Sequence, residues 1–169
     1  MELKFLRTNS DTNGKILEME STYHAHSREP AAHYHPCQDE FFTVISGELT
    51  LRTKGALHRL SAGEKIHISK GQVHSMWNDS DEETKVNWKV TPAMNTEYFL
   101  ETVNGLATDG KTNNDGMPGL LQVALLARKF NREFRLAKPP FIILNLVLLM
   151  LAPIALLAGY RSTYERYLN

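Results

Sequence analysis

His33-Tyr34-His35, Glu40 and His74 are the residues of this 169-residue chain whose types and spacing can do metal chemistry. Side chains two apart on a strand leave from the same face, so His33 and His35 point together while Tyr34 points away. Imidazole nitrogens and a carboxylate oxygen suit divalent transition ions, and a small β-barrel can bring three imidazoles and one carboxylate in this spacing onto a single ion. Between His35 and Glu40 lies room for a kink or bulge, after which the apolar run Phe41-Phe42-Thr43-Val44-Ile45 places Glu40 at the start of a strand. Ser46-Gly47 breaks that run and Glu48 to Arg52 alternates polar with apolar residues, a pattern that reads as a hairpin joining two strands.

Taken in order, His33, His35, Glu40 and Gly47 resemble the first motif of the cupin superfamily, and Gly63, Gly71, His74 and Asn78 resemble the second. The resemblance covers residues 15–92. It implies a mainly β fold, the cupin double-stranded β-helix or jelly-roll barrel, here followed by C-terminal α-helices. It implies further that His33, His35, Glu40 and His74 are metal ligands and that Gly47, Gly63 and Gly71 lie at barrel turns. Asn78 closes the second motif without a ligand role. Ser69 stands where the family usually has proline; since proline there stiffens a turn, no ligand is affected.

The expected cofactor is one divalent transition metal. Imidazole and carboxylate serve Fe, Mn, Ni, Cu and Zn alike, so the sequence does not choose among them. In an octahedral ion four protein ligands leave two positions for water, substrate or dioxygen. The function expected from this is a metal-dependent enzyme, an oxygenase, isomerase or related catalyst, acting on a small organic molecule. The alternative is a metal- or ligand-binding sensor that reports through its C-terminal helices to a membrane or a partner. Inward positions Phe42, Val44, Met76 and Trp88 are the candidate pocket lining, with Trp88 also reading as core. His24 and His26 form a second alternating pair, read as pocket lining or an ordinary strand face; His58 and His67 read as ordinary strand residues.

Lys and Arg balance Asp and Glu at 19 each, which gives no global electrostatic reason to bind nucleic acid. The length suits one domain with a core plus an appendage. A single cysteine, Cys37, forms no intrachain disulfide, and the start Met1-Glu2-Leu3-Lys4 lacks the apolar stretch of a signal peptide, so the barrel is expected in the cytoplasm. The resemblance also implies pairing into a homodimer, which would cover the sheet edges.

The expected division is a barrel over 1–92, a helical appendage with a polar linker over 93–137, and an apolar helix with a short tail over 138–169. Lys15 to Thr91 reads as short alternating strands, with Val86, Trp88 and Val90 on one face of the last. Asn95 is placed to cap a helix bearing Phe99, Val103 and Leu106 on one face, and Thr108 to Gly119 interrupts it. Leu120 to Leu136 reads as an amphipathic helix whose basic face carries Arg128, Arg132 and Arg135, ended by Lys138-Pro139-Pro140. Gly105 to Thr112 matches the phosphate-binding loop pattern letter for letter, yet it follows a helix and runs into Asn113-Asn114-Asp115-Gly116, so it reads as a linker and not a nucleotide site.

Phe141 to Ala158 carries no charge, and at ~1.5 Å per residue it approaches the ~30 Å of a bilayer core. With Arg128, Lys129, Arg132, Arg135 and Lys138 before it, a membrane anchor through 141–158 would hold the barrel on the cytoplasmic side. The other reading takes Asn145 and Pro153 as marks of a helix pair packed against the barrel or across a dimer.

Overall fold

Leu17, Met19, Ser21 and Tyr23 are all buried while the residues between them are half-exposed, and that period of two makes residues Leu17–Tyr23 a strand with one wet face. A computed structural model describes residues 2–113 and 116–168 of the chain; Asn114 and Asp115, in the polar linker, lie outside them. Two antiparallel sheets hold the alternating segments. The first runs in the order β1 (Glu2–Arg7), β2 (Leu17–Tyr23), β9 (Thr84–Thr91), β4 (Asp39–Ser46), β7 (Lys65–Ile68). The second runs β10 (Arg135–Leu136), β3 (His33–Tyr34), β8 (His74–Trp77), β5 (Glu48–Thr53), β6 (Ala56–Ser61). Between them Leu17, Met19, Val44, Leu49, Leu51, Val86 and Val90 form one apolar core, and Val86, Trp88 and Val90 do share its side of β9.

The expected hairpin at Gly47 is instead a corner. β4 pairs with β7 and β9, whereas β5 pairs with β6 and β8, so the chain crosses from one sheet to the other at that glycine. Its φ of +78° belongs to the left-handed region. The hairpin proper joins β5 to β6 through Lys54-Gly55, both with positive φ as a tight two-residue turn requires.

Helix α1 spans Thr96–Thr108, α2 Leu120–Lys129 and α3 Phe141–Leu157. Asn95 precedes α1 but makes no side-chain cap; its amide donates to Glu133 Oε1 at 3.0 Å. The glycine-rich stretch begins inside α1 at Gly105, where the Tyr167 ring occupies the space a Cβ would need, and Lys111 faces Asp109 at 3.4 Å. That is not a loop that can wrap phosphate.

The helix expected to run to Leu136 stops at Lys129. Phe130 leaves helical geometry, residues 131–134 turn, and Arg135–Leu136 becomes β10, paired with Tyr34 and His33. Helix propensities differ by at most ~0.7 kcal/mol per ordinary residue. That is less than the aromatic packing of Phe134 and the hydrogen bonds accepted by Glu133.

Among the described residues no helix is long and apolar enough to cross a membrane. The 17 residues of α3 span only ~26 Å, so the expectation of a membrane-spanning anchor through 141–158 is not supported. Nor is the segment a helix pair, since Pro153 and Asn145 both lie within the one helix. Ala152 and Ala155 pack on Leu125 and Leu121 of α2, while Ile142, Leu146, Met150 and Leu157 are left exposed.

Candidate metal centre

His33 sits directly opposite His74 across the β3–β8 pair, and their rings lie 4.5 Å apart. His35 follows two residues on and leaves from the same face, its ring 5.2 Å from that of His33. The His35 carbonyl accepts from the amide of Gly71 at 2.8 Å, which ties the turn before β8 to the end of β3. The ligand atoms of His33, His35 and His74 all lie within 4.8 Å of one another, a grouping able to hold a metal ion.

Each imidazole is oriented through its other nitrogen. Nδ1 of His33 meets the Ala31 carbonyl at 3.1 Å, Nδ1 of His35 the Glu133 carbonyl at 2.6 Å, and Nδ1 of His74 the Gln72 carbonyl at 3.0 Å. A carbonyl only accepts, so each Nδ1 carries the proton and each Nε2 is left to face the centre.

Glu40, the second residue of β4, enters from the opposite sheet and is buried. Trp88 of β9 donates its indole N–H to Oε1 at 3.0 Å, and this leaves Oε2 turned to the histidines, 3.2 Å from His35 Nε2 and 3.0 Å from His74 Nε2. Oε2 of Glu40 and Nε2 of His35 are buried without a hydrogen-bond partner. Two facing acceptors in a buried site call for a cation between them, and the donor set of imidazole and carboxylate fits a divalent transition ion. Glu40 is outside the tightest three-histidine group but touches two of its members.

The electrostatics follow from burial. His33 is held down to about 3 by desolvation, reinforced by His74 and His35, and burial likewise lowers His35. For His74 burial is outweighed by the Glu40 carboxylate 3.0 Å from its Nε2, which favours the protonated ring, so its pKa is raised. Glu40 is lowered, the pull of His35, His74 and His33 overcoming its own desolvation. In metal-free protein His74 therefore holds a proton more readily than a free imidazole, and His33 and His35 less readily.

Below the ordinary histidine pKa of ~6.5 the unfolded chain takes up protons on His33 and His35 that the folded chain refuses. Metal-free protein is thus expected to lose stability as pH falls from 6.5 toward 3, by ~1.4 kcal/mol per pH unit for the proton refused by His33, with His35 acting in the same direction. The His74 contribution runs the other way: it is complete below 6.5 and fades as pH rises through the raised pKa, so the two refusals outweigh it on acidification. Melting temperatures of metal-free protein between pH 4.5 and 7.5 check this, with His33→Gln giving the shallower dependence.

Of the expected pocket residues, Phe42, Val44, Met76 and Trp88 are buried in the apolar core, and Trp88 also reaches the site through Glu40. His24 and His26 do not belong to it. β2 ends at Tyr23, and the two histidines beyond it are exposed, His24 beside Glu83 at 3.7 Å and His26 beside Asp81 at 3.0 Å. His58 and His67 lie exposed in β6 and β7. Asn78 is buried as a loop brace, its amide donating to the carbonyls of Tyr23 and Glu82.

Sequence reasoning missed Glu133 and Phe134. The Glu133 carbonyl fixes His35, and the Phe134 ring stacks on His33 at 4.8 Å and on Phe99 at 5.2 Å. The one hint in the sequence is Glu133 itself, a lone acid among Arg128, Lys129, Arg132, Arg135 and Lys138.

Comparison with known proteins agrees with this architecture. The family described as Cupin domain matches residues 19–90. The tetracenomycin polyketide synthase protein TcmJ of Streptomyces glaucescens is 32% identical over 60 residues, which are 36% of this chain and 40% of that protein. An oxidoreductase of Arthrobotrys oligospora is 27% identical over 107 residues, 59% of this chain and 42% of that protein. The chain thus covers less than half the length of these two relatives. Among solved structures, an uncharacterized conserved protein with a double-stranded β-helix domain from Klebsiella pneumoniae is 26% identical, with a TM-score of 0.48 over 55% of this chain and 77% of that one. The family match, lying on the strands that carry the histidine cluster, identifies residues 19–90 as a cupin domain, followed in this chain by C-terminal helices.

Proposed function

We propose that His33, His35, His74 and Glu40 hold one divalent transition-metal ion and that the protein is a metal-dependent enzyme acting on a small organic molecule. The observation that carries this reading is the gathering of three histidine ligand atoms within 4.8 Å of one another, two of them against a buried carboxylate oxygen, with each imidazole locked through Nδ1 to a main-chain carbonyl. When bound, such an ion supplies Lewis-acid polarisation of a substrate oxygen or a place to activate dioxygen.

The chain's own residues set the conditions. Trp88 fixes the Glu40 carboxylate, the Gly71 amide fixes the backbone of His35, and the Phe134 ring stacks on the face of His33. A metal ligand has to be free of its proton, and the Glu40 carboxylate raises the pKa of His74, so affinity is expected to rise with pH as His74 deprotonates. The names of the two curated relatives, an oxidoreductase and a polyketide synthase protein, are consistent with redox or carbon-skeleton chemistry.

Metal analysis of protein purified from its own host is the direct test. About one equivalent of Fe, Mn, Ni, Cu or Zn per chain is expected, followed by turnover of small molecules with or without dioxygen uptake. A purified chain that neither carries nor takes up any of these five ions overturns the reading. A sensor is the second reading, favoured by the contact of the C-terminal appendage with the histidines; saturable ligand binding without turnover would select it.

A further inference from the structure

The segment that leaves α2 crosses the face of the histidine cluster. Ala137 donates its amide to the Ala32 carbonyl at 2.9 Å, and Leu136 and Arg135 pair with His33 and Tyr34. The Glu133 carbonyl accepts a hydrogen bond from the Nδ1–H of His35. The Glu133 carboxylate accepts from both the backbone and the side chain of Asn95, and Phe134 lies flat on His33 with Phe99 on its other contact.

We propose that residues 133–137 are a strap that completes and closes the metal centre, and that Phe134 decides what reaches it. The proposal rests on the metal-centre reading for its functional meaning, but the shielding it asserts is a property of the folded chain alone.

Three features make the strap a separable part. β10 is only two residues long and sits at the edge of its sheet, so its ladder is short and few hydrogen bonds hold it shut. The strap is anchored at its start by Glu133 on Asn95, and beyond it the short β10 pairing and the Ala137–Ala32 hydrogen bond join it to β3. Finally, its two contacts with the centre have different consequences. The Glu133 carbonyl positions His35, whereas the Phe134 ring covers His33 without holding it. Lifting the ring exposes the centre, and lifting the whole strap also frees the His35 imidazole.

The first test needs no metal. Diethyl pyrocarbonate attacks neutral imidazoles that it can reach. In metal-free wild-type protein it should label the exposed His24, His26, His58 and His67 at least tenfold faster than His33. Phe134→Ala should speed labelling of His33 by about tenfold and leave those four unchanged. Equal labelling of His33 in both proteins overturns the proposal. The second test uses zinc-loaded protein. Phe134→Ala should keep its zinc but release it to excess EDTA about tenfold faster.

A lock separates gating from mere packing. Ala32→Cys with Ala137→Cys, in a Cys37→Ser background, places a disulfide across the hydrogen-bonded pair where the strap meets β3. Oxidation should slow zinc release by tenfold or more, and reductant should restore it in the same sample. Release rates indifferent to oxidation overturn the strap. If the wild type binds no zinc and its His33 labelling still depends on Phe134, the metal reading falls and the strap stands.

Discussion

His35→Ala should bind its metal more than a hundredfold more weakly than the wild type and emerge from gel filtration with little or none. Removing a group that only orients a ligand commonly costs ~10–100-fold in affinity, and His35 is proposed as a ligand itself. The loss is made worse locally because its Nδ1 partner, the Glu133 carbonyl, is left buried without a donor, a further cost of ~1–3 kcal/mol in folding stability. The barrel should nevertheless fold, since Leu17, Met19, Leu49, Leu51, Val86 and Val90 pack without help from the histidines. Far-UV circular dichroism establishes folding, and elemental analysis reads the metal. His67→Ala is the control, for that imidazole stacks on Phe41 at the surface. Undiminished metal in His35→Ala would sink the four-ligand assignment.

Gly47→Ala should be the most destabilising single-methyl change among the turn glycines. A Cβ there would lie 2.6 Å from Thr84 Oγ1, 2.7 Å from the Glu83 carbonyl and 2.9 Å from Thr84 Cα, so backbone and not only a flexible side chain has to give way. The φ of +78° adds its own strain. Left-handed strain of ~1–3 kcal/mol and overpacking of ~1–3 kcal/mol combine to about 2–6 kcal/mol. The same methyl also pushes on the Thr84 hydroxyl, which donates to the Glu48 carbonyl at 2.8 Å and accepts from the Glu48 amide at 3.1 Å. Gly63→Ala meets no atom within 4 Å and should show the strain alone. Urea midpoints of the two variants separate the terms; equal losses would mean that the corner at Gly47 is not sterically closed.

The barrel and its histidines were legible because both rest on short-range rules. The period of two set Leu17 to Tyr23 and Val86 to Val90, and the same period put His33 and His35 on one side. Elsewhere local pattern and tertiary contact disagreed. Phe130 and Phe134 stand four apart like residues on one helical face, yet Phe134 is taken by His33 and Phe99, and the helix ends early. Asn95 has the chemistry of a cap and spends it on Glu133, thirty-eight residues downstream. His24 and His26 alternate as His33 and His35 do, but their strand has already ended at Tyr23. Gly47 looked like a hairpin because a sequence does not say which sheet the next strand joins. The run from Phe141 to Ala158 is uncharged, but the helix within it falls short of a bilayer's thickness.

The 98 residues between His35 and the carbonyl that steadies it also set an order of events during synthesis. A chain emerges from its N-terminus, so the strands bearing His33, His35, Glu40 and His74 are all outside the ribosome long before Glu133 and Phe134. During that interval the four side chains belong to a barrel with its mouth uncovered and one imidazole unsteadied. On the proposed reading, an ion captured then would meet a softer, more accessible site than the finished protein presents. If residues 133–137 close the centre as proposed, an ion supplied afterward would have to pass Phe134, and the history of the chain as well as its ligand set would bear on which metal it keeps.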